Sequence, residues 1–156
     1  MSVKVQGLKE LERNIKRYVK DTQKAVKPSI RRALNAGAKS LEKSIKSKVP
    51  VMSKSTDFRQ KGTIKNNVRH KTKVAKDGLS GITRIRVMRP KGQRMARVGE
   101  NTKDRRDPFY WWMVEYGTVK MKGRHYMEKG AQTGKAEALR ITEETFKKEL
   151  KERMPK

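Results

Sequence analysis

The chain has 156 residues and a net charge of +26, from 42 Lys and Arg against 16 Asp and Glu. Apolar residues make up only 33%, mean hydropathy is −1.00, and there is no Cys. These values predict one domain over residues 1–156 with a small core and segments that pack only against a partner, and they exclude disulfides and thiolate metal sites.

Leu8, Leu11, Ile15 and Val19 recur at three- and four-residue steps and predict a helix over about 8–22. Pro28 would break a continuous helix, so a second helix is expected from about 27 to 48, with Ile30, Ala33, Leu34, Gly37, Leu41, Ile45 and Val49 on one face. A mid-helix Gly costs about 1 kcal/mol against Ala, and close packing on another backbone is the expected compensation at Gly37. Residues 51–67 have no period and many turn formers, and read as a mobile basic loop. Strands are expected at about 67–74, 81–88 and 95–98, with a turn at Asp77–Gly81. The slip between Ile82 and Ile85 marks either a bulge or the strand start. Residues 100–107 form a charged loop.

The chain has nine aromatic residues, and five of them fall between Phe109 and Tyr116. Pro108 is expected to open a short helix that buries Phe109, Trp112, Met113 and Tyr116 and ends at Gly117, which leaves Trp111 to face a neighbouring subunit. After a loop at 119–130, a last helix is expected over about 131–153. Its stripe is Ala138, Leu139, Thr142, Phe146 and Leu150, with Glu143→Lys147 and Glu144→Lys148 ion pairs. Helices flanking a small antiparallel sheet define an α+β class.

No apolar run approaches the ~18 residues of a membrane span, and no apolar segment at the N-terminus suggests secretion. The expected setting is a reducing cytoplasm or a particle assembled there, with no membrane partner. Catalysis has little support. His70 and His125 stand 55 residues apart, neither with an acid or a second His at ligand spacing. There is no phosphate-cradling loop, and the poised acid–base pair that a basic nuclease or toxin needs is missing. The expectation is a protein that is not an enzyme and takes no cofactor or metal. Glu115, the one acid in the aromatic run, is expected to pair with a basic residue of this or a neighbouring subunit.

Charge is uneven along the chain: residues 1–53 carry +10, residues 54–106 carry +13 and residues 107–156 carry +3. So large an excess calls for an acidic partner, either nucleic acid or an acidic protein surface. Lys61, Lys65, Arg69, Lys71 and Lys73 lie in or beside the basic loop, and Arg84, Arg86, Arg89, Arg94 and Arg97 line the later strands. Arg84 and Arg86 share one strand face and can present a positive stripe to phosphates. No sequence-reading nucleic-acid motif is present, and Trp111 and Trp112 diverge by ~100° on a helix, so they cannot form one stacking platform. A cellular nucleic-acid-binding protein without sequence preference is the alternative on this reading.

The order of motifs resembles the Hong Kong-97-like phage tail-component family. The matching residues are Gly7-Leu8-Lys9-Glu10-Leu11, Ala33-Leu34-Asn35-Ala36-Gly37-Ala38 ending in Val49-Pro50, Val98-Gly99, and Val114-Glu115-Tyr116-Gly117-Thr118. The chain departs from the family pattern at Ser53–Ile64 and His125–Ala131. The resemblance implies a tail-terminator-like fold and a structural virion protein of a tailed bacteriophage, assembled in the host bacterial cytoplasm. It implies a homo-oligomeric ring, six subunits expected, that completes the tail tube or joins tail to head. The implied partners are the tail tube, tail terminator and head connector, with the genomic DNA end as a further contact. Trp111, Trp112, Glu115, Tyr116, Gly117 and Thr118 are then assembly residues.

Overall fold

The computed structural model describes residues 8–100 and 103–154; Gly7 and the 101–102 part of the charged loop lie outside the described residues. A single helix, α1 (Leu8–Lys48), runs through Pro28 instead of breaking there. Proline removes one backbone donor and crowds the preceding turn. Beside it, the fully buried Ser29 hydroxyl donates to the Ala25 carbonyl at 2.9 Å. The two helices expected at 8–22 and 27–48 are therefore one rod, about 60 Å long at 1.5 Å per residue.

The C-terminal half of α1 packs antiparallel on α4 (Tyr126–Arg153), which starts five residues before the predicted helix. Small residues set the approach. A Cβ on Gly130 would collide with the Ile45 backbone, one on Gly134 would lie 2.6 Å from Ser44 Cβ, and one on Gly37 would strike the Thr142 hydroxyl. The close packing expected at Gly37 is thus present. Ser44 Oγ donates to the Gly130 carbonyl at 2.8 Å, and Arg32 pairs with Glu149 at 3.0 Å further along the seam. On α4, Glu143 pairs with Lys147 as expected, whereas Glu144 takes Arg140 in place of Lys148. Leu139, predicted to be buried, is exposed because Ala138 holds the seam.

Residues 51–62 are irregular, and the segment read as a loop ends in a helix, α2 (Thr63–Asn67), that buries Thr63, Ile64 and Asn67. Strands β1 (Val68–Val74) and β2 (Gly81–Val87) form an antiparallel ribbon in unbroken register from Val68↔Val87 to Val74↔Gly81. No bulge separates Ile82 from Ile85: Ile82 begins the strand pointing outward. The predicted strand at 95–98 does not form; residues 88–100 are a loop with a 3₁₀ turn at Pro90–Gly92. The chain then makes α3 (Trp111–Tyr116) and a minimal hairpin of β3 (Gly117–Thr118) and β4 (Met121–Lys122) before α4. The architecture is α+β: two long helices and a ribbon laid on α1. Its core is Ile45, Val49, Ile64, Val68, Val87 and Tyr126, with Trp111, Val114 and Met127 packed around it.

Candidate functional site

The aromatic segment is organised by two buried carboxylates. Asp107 accepts from the backbone N–H groups of Ala96 at 2.9 Å and Phe109 at 3.0 Å, and from Arg89 at 3.3 Å. These bonds hold residues 107–110 in a turn, so α3 begins at Trp111 and not at Pro108. Phe109 and Tyr110 meet edge to face at 5.6 Å, with the Arg59 guanidinium 3.9 Å from the Tyr110 ring centre. A cation held over an aromatic face stabilises the turn.

Glu115 is only 3% exposed and sets the phase of α3. Its carboxylate accepts from the backbone N–H groups of Met127 at 3.0 Å and Glu128 at 3.4 Å, in the first turn of α4. A helix N-terminus has unpaired donors and a positive dipole end, so a carboxylate is the favoured group there. The expected ion pair is replaced by a helix cap supplied from another element. His125, the residue before α4, has left-handed backbone angles and no side-chain cap of its own, which leaves those donors to Glu115.

With Glu115 turned inward, Trp111, one helical turn before it, packs against the core. Trp112 is 37% exposed and Tyr116 68% exposed. The predicted face is therefore rotated by one residue: Trp111 does the packing assigned to Trp112. Tyr126, wholly buried, donates to the Trp111 carbonyl at 3.4 Å, and burial, with the Glu115 charge beside it, pushes its hydroxyl pKa far up. Gly117 has φ +90, and a Cβ there would lie 2.6 Å from the Met121 carbonyl oxygen and from the Gly123 nitrogen. Only glycine suits that turn. Thr118 is exposed and donates no capping bond to the joint; its hydroxyl accepts from the Lys120 N–H at 3.3 Å. The hairpin tip carries Val119 and Met121 exposed, next to Tyr116 in sequence and on the outer side of the joint.

The ribbon brings together five of the predicted basic residues. Arg69 faces Arg86, Lys71 faces Arg84, and Lys73 lies in register with Ile82, all on the exposed face. Like charges directly opposite one another destabilise a ribbon. Among the described residues none of the five has an ion pair, so nothing internal offsets the repulsion. Beside them opens a groove of about 710 Å³ with Trp111, Tyr116, Met95 and Met127 in its lining and Lys71, Lys73, Arg84 and Arg86 around it.

The remaining predicted cations are elsewhere. Lys65 is exposed in α2 and Lys61 is exposed just before it, outside the ribbon strands. Arg89 is bound to Asp104 and Asp107, and Arg94 forks onto Glu100 with its closest bond at 2.7 Å. Glu100 also accepts from the Arg97 N–H at 2.9 Å. Arg89 and Arg94 thus staple the 88–107 loop and are not free for a partner. Backbone hydrogen bonding to Arg106, followed by the opposing pull of desolvation and the charge of Arg89, leaves the Asp104 carboxyl below its ordinary value.

On the inner ribbon face His70 Nδ1 meets Glu42 at 2.7 Å, and Lys46 joins the same carboxylate at 2.5 Å. Sequence spacing gave no hint of this pair, because Glu42 comes from α1. Burial pushes the Glu42 carboxyl up, but Lys46 and His70 together outweigh it and hold it below the usual range. Thr72 donates to Asn35 at 2.7 Å on the same face. These bonds tie the ribbon to α1. Among the described residues no cluster of three or more His, Asp or Glu has metal-binding geometry, and no helix is long and apolar enough to cross a membrane. Comparison with protein-family models, curated proteins and solved structures finds no match to this chain.

Proposed function

We propose that this chain is a non-enzymatic structural protein of a tailed bacteriophage, a ring subunit at the head-proximal end of the tail whose basic ribbon face meets the phosphates of the DNA end. The observation that carries the reading is one outward surface: five cations on the ribbon, none in an ion pair among the described residues, beside a groove lined by Trp111 and the exposed Tyr116. A surface of this kind suits assembly against an acidic partner better than it suits a reaction, since the groove beside it has no carboxylate or histidine in its lining. The ordered motifs that resemble phage tail components, from the Gly7–Leu11 segment to Thr118, support the same conclusion. In this reading the ring completes the tail tube, docks the tail terminator and head connector, and forms in the host bacterial cytoplasm.

The test is imaging of virions that carry the gene. A ring of this protein at the head–tail junction is expected, and virions lacking the protein would overturn the reading. The ribbon is tested separately with Arg84→Glu/Arg86→Glu. Binding to duplex DNA should weaken, and the slope of log K against log salt should fall by about 0.9 for each phosphate that the variant no longer neutralises. The same ribbon favours one second reading, a cellular nucleic-acid-binding protein without sequence preference. A stable monomer that binds DNA with a steep salt slope and has no place in a virion would select it.

A further inference from the structure

We infer that the N-terminal half of α1 is an exchanged arm, which seats its apolar stripe in a groove on a second copy of this chain. The inference deepens the assembly reading above and rests on it for the meeting of copies. Leu11, Ile15, Tyr18 and Val19 form one stripe at steps of four, three and one, and each is between 49 and 61% exposed. Every residue from Glu10 to Lys20 is exposed. An apolar helical stripe left in water on a chain this polar marks an interaction surface.

The groove lies further along the same molecule and measures about 540 Å³. Leu34 and Leu41 of α1 form its floor, Met127, Ala131 and Leu139 of α4 one wall, and Ile85 of β2 the other. It is a helix-sized trough between α4 and the ribbon, and a third helix would complete the layer. Its span along α4, from Met127 to Thr142, is about 22 Å, and the arm from Glu10 to Lys24 is about 21 Å long. The arm cannot reach its own groove, because α1 is unbroken from Leu8 to Lys48 and the groove starts at Leu34 of the same rod.

Residues 9–24 carry six bases and three acids, and α4, with six acids and seven bases, is close to balanced, whereas residues 54–106 carry +13. A basic arm is therefore repelled less along α4 than along the basic ribbon. Donor and acceptor surfaces differ, so the contact is head to tail, and each copy both gives an arm and receives one. Such contacts close into a ring when the rotation allows and otherwise grow as a filament.

The test measures the mass of the full chain in solution, by sedimentation, for wild type and two variants. Leu11→Asp/Ile15→Asp removes the stripe, and Leu139→Lys blocks the groove; all three side chains are exposed, so helicity by circular dichroism should be unchanged. Wild type is expected to be oligomeric and each variant monomeric. A 1:1 mixture of the two variants should then give a dimer and nothing larger, since one contributes the only intact groove and the other the only intact arm. Because the chain has no Cys, Tyr18→Cys in one chain and Leu139→Cys in another should also cross-link between chains. If the groove variant keeps the wild-type mass while the arm variant becomes a monomer, the arms pair with each other and the inference is wrong. A ring that survives both variants also overturns the exchange while leaving the ring reading intact. A monomeric wild type overturns the exchange too, and virion imaging then decides the ring reading independently.

Discussion

Residues 25–48 and residues 10–24 belong to one unbroken helix with one apolar period, yet the first set buries Ala25, Ala33, Ala38 and Ile45 while the second leaves Leu11, Ile15, Tyr18 and Val19 in water. The residue types do not explain the contrast, because both halves carry large apolar side chains at helical spacing, Leu34, Leu41 and Ile45 in one and Leu11, Ile15, Tyr18 and Val19 in the other. The difference lies in the facing element. Gly130 and Gly134 let α4 come close enough to cover the C-terminal half, and α4 ends before the N-terminal half begins. Periodicity marks which face of a helix wants burial; it does not say which chain supplies the cover.

The seam is the more fragile side of that contrast. Gly130→Leu should cost about 3 kcal/mol or more, because the new side chain meets the Ile45 backbone, which cannot move aside as a flexible side chain would. Urea unfolding measures it, and an unchanged midpoint would mean that the helices do not touch there. Trp111→Ala should follow at about 3 kcal/mol, through loss of core packing. The neighbouring Trp112→Ala should cost less than about 1 kcal/mol in the isolated chain, since that ring is partly in water. Equal losses would remove the phase assigned to α3.

Glu115→Ala should cost about 2 kcal/mol, by leaving the Met127 and Glu128 N–H groups without their acceptor. Glu115→Gln, which keeps one acceptor oxygen, should recover part of it. A loss in the Ala variant that Gln restores in full would mean that a neutral acceptor serves as well as the carboxylate and that its charge adds nothing.

Acid tests the ribbon's hold on α1. The Glu42 carboxyl is lower in the folded chain than its ordinary 4.5, so the unfolded chain binds the proton more readily. The stabilisation is complete above that ordinary value and is lost as pH falls through the lower folded one. Glu42→Gln should remove this part of the acid slope. A slope identical to wild type would mean that Lys46 and His70 do not hold this carboxylate in solution.

The helical periodicity on either side of Pro28 and along α4, the ribbon at 67–74 and 81–88, and the need for a close approach at Gly37 were legible because each rests on local periodicity or on one residue's sterics. The orientation of the aromatic helix was not. It is set by Glu115 reaching a helix that starts 11 residues later, and a carboxylate capping a separate element leaves no spacing rule to read. Pro28 misled for a related reason: local rules record what proline removes, not whether packing of the flanking turns carries the helix through it. At the site, the alternation of Arg84 and Arg86 was visible, but cross-strand register was needed to add Arg69, Lys71 and Lys73 to the same face. The pairing of Arg89 and Arg94 with loop acids was hidden because like-looking cations differ only in their three-dimensional neighbours.

The smallest expected effect is the one that most sharpens the comparison between the halves of α1. Ile15→Ala removes a large apolar side chain, but one that is 54% exposed. Unfolding of the dilute, monomeric chain should change by no more than about 0.5 kcal/mol. An equivalent truncation in the seam, Ile45→Ala, removes a side chain only 2% exposed and should cost several times as much. At concentrations where copies associate, the ranking should shift: the stability of Ile15→Ala should fall behind wild type as concentration rises, because wild type gains stabilisation from binding that the variant lacks. A concentration series of melting curves separates the two cases. Matching curves at every concentration would mean that nothing covers the stripe in solution, and a large loss at the lowest concentration would mean that its own chain covers it.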